Sequence, residues 1–313
     1  MRKMICVLLA SIPWLSSGAG EPLAPLFARC DGVVGFGERW ALACAGGVAL
    51  RDAAGRAEAQ QVLATGALDL LERDGEILVA AGAAGLARLR VTASGGLDRV
   101  ALFPRPAAVY QVAAAPDGAL LLAQGGMGLA EVVVGSDGRL RERRHLDVGA
   151  LVRGVSVAGK QVLACLGSEG LLLARRVAGG LVAVTRLPTV DAREAVFVEG
   201  SEGLRAVVAD GRGGVVVVSV TAEGLREVSR LPALEGAAVR GLGLRGRQVL
   251  TAEGRAGGRL LEVDLQGRPT ILRRFDLPPG SYLDAAFSAD GARGAWASDR
   301  EGLVVVDFSA KKP

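Results

Sequence analysis

The sequence predicts an all-β fold, a seven-bladed β-propeller of four-stranded antiparallel blades, from three observations. A unit of small-residue strand, glycine-rich turn and apolar strand recurs along the chain. Glycine is abundant, with 45 residues in 313, whereas aromatic residues make up 4%. Helical repeats of similar length would need apolar residues at i, i+3 and i+4 over more than ten residues, and the frequent glycines exclude that.

The repeat is marked by one glycine in each unit. Successive marker glycines are separated by 38, 43, 42, 44, 44 and 44 residues. They are Gly47, Gly85, Gly128, Gly170, Gly214, Gly258 and Gly302. Seven units of about 43 residues account for essentially the whole chain after its first twenty residues, and this period is typical of propeller blades.

Each unit is predicted to contain four strands, as the third unit shows. Its short segments are rich in Val and Leu and are separated by Asp-Gly or Gly-Gly pairs, which supply the positive φ angles of hairpin turns. The four segments cover residues 110–115, 119–124, 129–134 and 140–146. Four antiparallel strands at this period describe one blade.

The seventh unit ends after its third predicted strand, so the ring needs a fourth strand from elsewhere. Residues 22–27 precede the innermost strand of the first unit and are predicted to supply it. Pro22 and Pro25 limit how many ladder hydrogen bonds this segment can make. Closure by strands from the N- and C-terminal ends would remove the open edge of the ring.

Residues 1–19 are predicted to be a secretory signal peptide. Arg2 and Lys3 form a short basic start, residues 4–15 form an apolar run, and small residues including Ser17 and Ala19 follow. The apolar run is shorter than the roughly 20 residues of a membrane span. We therefore expect residues 20–313 to form a single propeller domain exported to the periplasm, the cell surface or the medium.

Composition argues against two kinds of partner. The formal net charge is +4, and the predicted signal peptide supplies Arg2 and Lys3 without any acidic residue. The remaining excess of positive charge is too small to indicate nucleic-acid binding. The later apolar runs are short and interrupted by glycine and arginine, so we do not expect the domain to be embedded in a membrane.

The residues of the seventh unit, AWASDREGLVVVDFSAKKP, follow a pattern close to Y-V-A-D-x-x-x-G-L-x-V-V-D-V-S-x-P. The matching positions are Asp299, Gly302, Leu303, Val305, Val306, Asp307, Ser309 and Pro313. The fifth unit matches through Ala209, Asp210, Gly214, Val215 and Ser219, and the sixth through Gly258, Val263 and Asp264. The chain thereby resembles the LVIVD-repeat family, most closely toward its C-terminus. The resemblance implies an extracytoplasmic propeller and brings no common reaction or catalytic residue.

Three cysteines follow the predicted signal peptide. Cys30 and Cys44 are equidistant from Gly37, the centre of a predicted hairpin turn, and directly opposed residues on antiparallel strands can form a disulfide. An oxidising compartment would favour that bond over two buried thiols. Cys165 has no predicted partner, and we interpret it as a small core residue rather than a reactive thiol.

The sequence offers little for catalysis or cofactor binding. His145 is the single histidine and lies among arginines on a predicted outer strand, which favours a surface residue over a member of a catalytic triad. The glycine-rich strings recur at every blade turn without a following helix, so we interpret them as turns rather than phosphate-binding loops. The Cys-x-x-Cys-His haem motif is absent. No cofactor is predicted.

Acidic residues recur in the turn between the second and third strands of four units. They are Glu169, Asp210, Glu253 and Asp299. A calcium site needs several oxygens that converge on one point, whereas these residues belong to separate blades. Turn and capping hydrogen bonds are therefore the favoured interpretation.

One constellation indicates a ligand site. Alignment of the innermost strands places Arg29, Leu68, Tyr110, Arg153, Arg193, Arg240 and Leu283 at equivalent positions. Because innermost strands line the channel, Arg29, Tyr110, Arg153, Arg193 and Arg240 are candidate ligand-binding residues at one mouth, where guanidinium groups can bind carboxylate or phosphate. The alternative is that neighbouring acidic residues pair with these arginines and neutralise the ring. These residues are Asp69, Asp191, Glu194 and Asp284.

These features favour a non-catalytic exported scaffold that binds a protein or other macromolecule on a face of the propeller. A second hypothesis is a lactonase- or glycosidase-like hydrolase that uses carboxylates near the channel mouth. Convergence of two acidic side chains with raised pKa values in one pocket would distinguish it. A third hypothesis is a small anionic ligand held by the arginine-lined mouth.

Overall fold

The computed structural model describes residues 27–105, 107–201 and 203–309, which form a seven-bladed β-propeller. Over these residues 27 strands form seven antiparallel sheets, the blades, around a central channel. Six blades have four strands, and the described part of the seventh has three. The predicted all-β class and the seven-fold repeat are confirmed.

Within each blade the strands follow the chain outward from the channel. The first two blades comprise β1 (Cys30–Phe36), β2 (Arg39–Cys44), β3 (Gly47–Arg51), β4 (Ala57–Val62), β5 (Asp69–Arg73), β6 (Glu76–Ala80), β7 (Leu86–Val91) and β8 (Leu97–Phe103). The third and fourth comprise β9 (Gln111–Ala114), β10 (Leu120–Ala123), β11 (Leu129–Val134), β12 (Leu140–Leu146), β13 (Gly154–Ala158), β14 (Gln161–Cys165), β15 (Leu171–Val177) and β16 (Gly180–Leu187). The last three comprise β17 (Glu194–Gly200), β18 (Gly203–Ala209), β19 (Val215–Val220), β20 (Leu225–Leu231), β21 (Gly241–Arg245), β22 (Gln248–Ala252), β23 (Gly258–Val263), β24 (Pro269–Phe275), β25 (Tyr282–Phe287), β26 (Arg293–Ser298) and β27 (Gly302–Asp307).

The hydrophobic core is divided into seven clusters among the described residues, each between two neighbouring blades. Successive side chains of a strand point to opposite faces of the sheet, so a blade with two apolar faces can pack on both neighbours. In β2, Trp40 and Leu42 pack toward the seventh blade, whereas Ala41 and Ala43 pack toward the second. The cluster between the seventh and first blades closes the ring.

A glycine begins or precedes the third strand because the chain ending the fourth strand approaches closely there. In blades two to five, a Cβ at this glycine would lie 2.1–2.2 Å from a carbonyl oxygen. The glycines are Gly85, Gly128, Gly170 and Gly214, with φ angles of 83–96°. In the sixth blade Gly257 occupies this place, with φ 84° and its Cβ position 2.4 Å from the Phe275 carbonyl oxygen. The choice of Gly258 as the marker glycine of the sixth unit is therefore wrong by one residue.

Pairs of backbone hydrogen bonds join neighbouring blades on the face where the innermost strands begin. In blades two to six, the first glycine of the turn after the second strand pairs with a residue just before, or at the start of, the innermost strand of the next blade. The pairs are Gly82–Val109, Gly125–Val152, Gly167–Ala192, Gly211–Val239 and Gly254–Tyr282. We call this face the mouth face and the opposite face the turn face.

The predicted fourth strand of the seventh blade, residues 22–27, lies outside the described residues except for Phe27. Phe27 is buried in the cluster that closes the ring, and Leu303 packs against the same cluster. The Arg293 guanidinium donates to the carbonyl oxygen of Ala53, at 3.0 Å, across this seam. The predicted signal peptide also lies outside the described residues. No helix of the described chain is long and apolar enough to cross a membrane.

Candidate functional site

The first blade carries a disulfide at the mouth face. Cys30 of β1 lies directly opposite Cys44 of β2, and their sulfurs are bonded at 2.07 Å. The predicted pairing is confirmed. Cys165 is a buried thiol within the core between the fourth and fifth blades, as predicted. Burial, followed by the nearby carboxylates of Glu194 and Asp210, raises the pKa of that thiol well above its ordinary value.

The mouth is formed by the residues that immediately precede the innermost strands. Arg153, Arg193 and Arg240 each donate a backbone hydrogen bond of 2.8–2.9 Å to the end of the second strand of their own blade. Leu68 and Tyr110 make the same bond. In the first blade a bulge between Cys30 and Gly32 puts Asp31, rather than Arg29, at this position. The predicted placement of Arg29 in the ring is therefore wrong by two residues.

Acidic side chains on the mouth face compensate much of the arginine charge. Arg193 pairs with Asp191 at 2.7 Å, and Arg29 lies 3.8 Å from Asp31. Burial, and then the charge of Arg193, lower the pKa of Arg240, whereas Asp191 and Asp299 oppose that shift. The Nε of Arg240 is buried without a hydrogen-bond partner.

An apolar patch adjoins these charges on the third and fourth blades. Tyr110, Met127 and Leu151 are 37%, 36% and 39% exposed, respectively. Tyr110 and Leu151 flank Gly125, where a Cβ would lie 2.9 Å from the Tyr110 ring and 3.3 Å from the Leu151 side chain, and Met127 belongs to the same turn as Gly125. Arg153 is exposed two residues after Leu151. We call Tyr110, Met127 and Leu151 the mouth patch.

The residue that follows each mouth residue in the sequence belongs to a second ring, which we call the girdle. Its members are Gly32, Asp69, Gln111, Gly154, Glu194, Gly241 and Asp284. Each pairs with the residue that ends, or nearly ends, the second strand of its own blade. Four of the seven carry polar side chains and three are glycine.

The polar girdle side chains tie one blade to the next. Asp69 accepts a hydrogen bond from the Val112 N–H at 3.0 Å. Glu194 accepts one from the Leu242 N–H at 2.9 Å. The amide of Gln111 and the carboxylate of Asp284 do the same across their own seams, to the N–H groups of Val155 and Val33 at 2.7 and 2.9 Å. Each polar member thus satisfies a backbone donor of the following blade.

The girdle glycines allow the following blade to approach closely. A Cβ at Gly241 would lie 2.6 Å from the Cα of Asp284, and one at Gly154 would lie 2.5 Å from the Arg193 carbonyl oxygen. At Gly32 the nearest backbone atom of the second blade is 3.3 Å away. Around the ring, each glycine is followed by a blade whose girdle residue is acidic.

Three carboxyl groups therefore converge in the channel. Burial raises the pKa of Asp69 to about 8, and the charge of Asp284 adds to the shift. Burial also raises the pKa of Asp284 to about 7. The pKa of Glu194 lies well above its ordinary value through burial and through the charges of Asp284 and Asp69. Gln111 bridges to this group by donating to Glu194 at 3.3 Å.

The girdle corrects one expectation from the sequence. Asp69, Glu194 and Asp284 were candidates to neutralise the arginine ring, but their hydrogen bonds go to backbone N–H groups in the channel. Asp191 alone of the four named acids pairs with a mouth arginine in the described chain. The sequence analysis did not identify Gln111 as a residue of this site. The girdle and the apolar channel wall enclose a cavity of about 370 Å³.

The acidic turn residues act mostly as hydrogen-bond acceptors. Asp210 accepts from the Asp191 N–H at 2.8 Å, and Asp299 accepts from the Ser281 N–H at 2.8 Å. Glu253 likewise accepts from the Leu234 N–H at 3.1 Å. Glu169 pairs with Arg186 at 3.3 Å. Asp210 and Glu253 also form ion pairs, with Arg230 and Arg259 respectively. Among the described residues, no group of three or more His, Cys, Asp or Glu side chains is arranged to hold a metal ion.

His145 lies on β12, the outermost strand of the third blade, where it faces Ala130 of β11. Its Nδ1 is 4.0 Å from a carboxylate oxygen of Glu142, and about a third of its side chain is exposed. The prediction of a surface histidine on an outer strand is confirmed. Its place on the outermost strand separates it from the channel.

The fold is similar to several solved structures. The β-propeller domain of Myceliophteria thermophila Cps50 (Swd1) has a TM-score of 0.71 at 11% identity, over 90% of this chain and 98% of that chain. The streptogramin B lyase structure has a TM-score of 0.66 at 15% identity, over 91% and 94%. The computationally designed Ika8 protein has a TM-score of 0.63 at 11% identity, over 90% and 96%. The sequence matches no family model and no curated protein. At these identities the similarity supports the propeller fold alone.

Proposed function

We propose that the protein is a non-catalytic, exported propeller scaffold that binds a protein partner on its mouth face. The observation that carries the proposal is the mouth patch, because Tyr110 and Leu151 are exposed on either side of Gly125 and Met127 is exposed in the same turn. Contiguous apolar surface rimmed by polar groups is typical of protein interfaces. Tyrosine is also among the residues that most often dominate binding energy.

The charges beside the patch define the partner's chemistry. Arg153 is exposed next to Leu151, and Arg240 carries an unpartnered Nε. Arg193 shares its charge with Asp191. A partner segment with an apolar anchor followed by a carboxylate would cover the patch and pair with Arg153. Guanidinium groups bind carboxylates in a bidentate manner, which would fix the orientation of that segment.

Export is supported by three features. The Cys30–Cys44 disulfide is of the kind that persists in oxidising compartments. The basic and apolar start of the sequence has the layout of a signal peptide. The LVIVD-repeat resemblance in the seventh blade also favours an extracytoplasmic location. The proposed site of action is therefore the periplasm, the cell surface or the medium.

Site-specific photocrosslinking in cells tests the mouth face. A benzophenone amino acid at Met127 should crosslink to a discrete partner, and Arg153→Glu should abolish that crosslink by reversing the local charge. The matched control places the same group at Leu272, an apolar residue 47% exposed on the outer strand of the sixth blade. Equal crosslinking at both positions, or a Met127 crosslink that survives Arg153→Glu, would contradict binding at this face.

A second candidate function rests on the girdle. Asp69 and Asp284 have pKa values of about 8 and 7, so one can donate a proton while another accepts one near neutral pH. Paired carboxyl groups of this kind perform glycoside hydrolysis. A hydrolase screen with lactone and glycoside substrates tests this function. Activity should vanish in Asp69→Asn and Asp284→Asn but remain in Asp98→Asn, which alters an exposed carboxylate. If no substrate is found, the hydrolase hypothesis is contradicted, and the carboxyl groups serve only to hydrogen-bond neighbouring blades.

A further inference from the structure

Three junctions between blades share one local arrangement on the mouth face. A glycine with a φ angle of 54–62° begins the turn after a second strand. The mouth residue of the same blade lies beside it, and so does a residue of the next blade, one position before the residue that pairs with the glycine. The three sets are Tyr110, Gly125 and Leu151, then Arg153, Gly167 and Asp191, and then Arg240, Gly254 and Ser281.

At the junction of the fourth and fifth blades, an arginine has a carboxylate of the chain beside it. A Cβ at Gly167 would lie 3.5 Å from the Arg153 Nε and 3.7 Å from a carboxylate oxygen of Asp191. The same carboxylate pairs with Arg193 at 2.7 Å. At this junction the chain therefore supplies its own anion.

At the junction of the sixth and seventh blades, a serine stands where the fourth and fifth blades have that aspartate. A Cβ at Gly254 would lie 3.7 Å from the Arg240 Nε and 3.9 Å from the Ser281 hydroxyl oxygen. At Gly125, by contrast, the Tyr110 ring is 2.9 Å from the corresponding point. The space beside Gly254 is therefore open and lined by donors. We call Arg240, Gly254 and Ser281 the arginine niche.

The donors of the arginine niche are unpartnered over residues 27–105, 107–201 and 203–309. The Arg240 Nε is buried, and the guanidinium makes no hydrogen bond or ion pair there. Its terminal nitrogens are not buried, so they are open to solvent. The Ser281 N–H donates to Asp299 at 2.8 Å, but the Ser281 hydroxyl makes no hydrogen bond. An acceptor from outside the chain would satisfy both side chains, and a partly buried donor without an acceptor is unfavourable.

The charges around the niche fit a ligand with one negative charge. Arg193 and Asp191 pair with each other, and Asp299 makes no ion pair with Arg240 within the described chain. Burial, and then the charge of Arg193, lower the pKa of Arg240, so its surroundings disfavour its charge and one anion would offset this. A second negative charge would be repelled by Asp191 and Asp299.

We propose that the arginine niche binds a monoanionic carboxylate, which takes the place that Asp191 has at the junction of the fourth and fifth blades. The ligand pairs with the terminal nitrogens of Arg240 and accepts a hydrogen bond from the Ser281 hydroxyl. Its carboxylate belongs to a small free acid or to the carboxyl terminus of a protein. The mouth patch lies at another junction, between the third and fourth blades, so this inference does not rest on the proposed protein partner.

Titration with sodium acetate, followed by NMR of the Arg240 Nε–H group, tests the proposal. The protein is labelled with [15N]arginine, and the signal is assigned from its absence in Arg240→Lys. Acetate should shift the signal saturably, with a dissociation constant on the order of 10 mM, whereas sodium chloride at equal ionic strength should not. Ser281→Ala should weaken acetate binding by about tenfold, because a hydrogen bond to a charged acceptor is lost. Arg268→Ala, at an exposed arginine between β23 and β24, is the matched control and should leave binding unchanged.

Ser281→Asp reproduces the arrangement of the fourth and fifth blades and gives a second test. The introduced carboxylate should pair with Arg240, shift the Nε–H signal in the absence of ligand and abolish the response to acetate. Acetate binding that survives this substitution would overturn the proposal. So would a chloride response equal to that of acetate, or the absence of a saturable response up to about 100 mM acetate.

Two further probes separate the sources of the carboxylate. N-acetylglycine carries a carboxylate after a peptide group, and N-acetylglycinamide lacks the charge. Binding of N-acetylglycine about tenfold tighter than that of acetate would identify a protein carboxyl terminus as the ligand, and equal binding would identify a small free acid. Equal binding of the amide and the acid would overturn the proposal. None of these outcomes bears on the mouth patch, which crosslinking at Met127 tests separately.

Discussion

The girdle and the cluster around Glu131, which we call the Glu131 cluster, both bury carboxyl groups, and they stabilise them in different ways. Three carboxyl groups, Asp69, Glu194 and Asp284, converge in the channel without an arginine partner in the described chain. In the Glu131 cluster, Arg144 and Arg176 each donate to the buried Glu131 carboxylate at 2.7 Å, and Arg176 also binds Asp117. A carboxyl group sheds its charge by binding a proton, and raised pKa values show that the girdle does so near neutral pH. Guanidinium groups cannot lose their charge at any physiological pH, so Arg144 and Arg176 keep Glu131 ionised.

The two regions should therefore respond oppositely to pH. Girdle pKa values lie above those of the unfolded chain, so the girdle stabilises the fold in its protonated form and loses that contribution as the pH rises. The pKa of Glu131 lies below its unfolded value, so its contribution is present at neutral pH and is lost on acidification. The comparison shows that a buried carboxyl group binds a proton near neutral pH when its neighbours are acidic and stays ionised when its neighbours are arginines.

The largest expected effect is the pH dependence of the girdle. Between pH 5 and 9 the free energy of unfolding should fall by roughly 7 kcal/mol, about 4 from Asp69 and about 3 from Asp284, because Asp69 titrates at about 8 and Asp284 at about 7 in the folded state but near 3.8 when unfolded. Urea unfolding at a series of pH values measures it. Asp69→Asn should remove more than half of this fall because an amide does not titrate, and its oxygen still accepts from the Val112 N–H. Asp98→Asn should leave the fall unchanged. A profile unchanged by Asp69→Asn would contradict proton binding by Asp69 near neutral pH.

A smaller effect is expected when the Glu131 cluster loses its buried charge. Glu131→Gln should lower the free energy of unfolding by about 3 kcal/mol at pH 7, because Arg144 and the buried Arg176 lose their carboxylate partner. Glu169→Gln is the matched control, since its pair with Arg186 is exposed and should contribute less than about 1 kcal/mol. Equal losses in the two variants, measured by urea unfolding, would contradict a stabilising role for the buried charge.

Close packing between blades is a second property of the girdle, and it gives an intermediate effect. Gly241→Ala should lower the free energy of unfolding by about 2 kcal/mol, because its Cβ would lie 2.6 Å from the Asp284 backbone. Gly126→Ala is the control, since no atom lies within 4 Å of the added Cβ. Thermal and urea unfolding measure both. Equal stability of the two variants would mean that the sixth and seventh blades can separate without cost.

The repeat made most of the fold predictable. Turn glycines, short strands and the Cys30–Cys44 spacing are local signals, and each corresponds to a feature of the structure. The sixth blade shows the limit of this inference, because Gly257 and Gly258 are adjacent and only the close approach of Phe275 selects between them. The bulge in β1 similarly moved Arg29 out of the mouth ring, and a bulge leaves no clear mark in the sequence.

The charged sites were harder to predict because they depend on contacts between blades. Asp69 and Glu194 were identified as neighbours of the mouth ring, but consecutive residues of a strand point to opposite sides, so these carboxyl groups enter the channel. The Glu131 cluster gave no signal at all in the sequence. Glu131 lies in the third blade and Arg176 in the fourth, and only the packing of the two blades brings them together.

The smallest expected effect is at Lys160, which is exposed and whose ammonium group has no partner in the described chain. Lys160→Met should change the free energy of unfolding, measured with urea, by no more than about 0.5 kcal/mol. The change should be a slight stabilisation at low ionic strength, since the variant removes repulsion from Arg176, whose guanidinium donates to the adjacent Gly159 carbonyl oxygen. It should disappear near 1 M salt, where screening acts over about 3 Å. A loss of more than about 1 kcal/mol, independent of salt, would show that Lys160 stabilises the blade through contacts other than its charge.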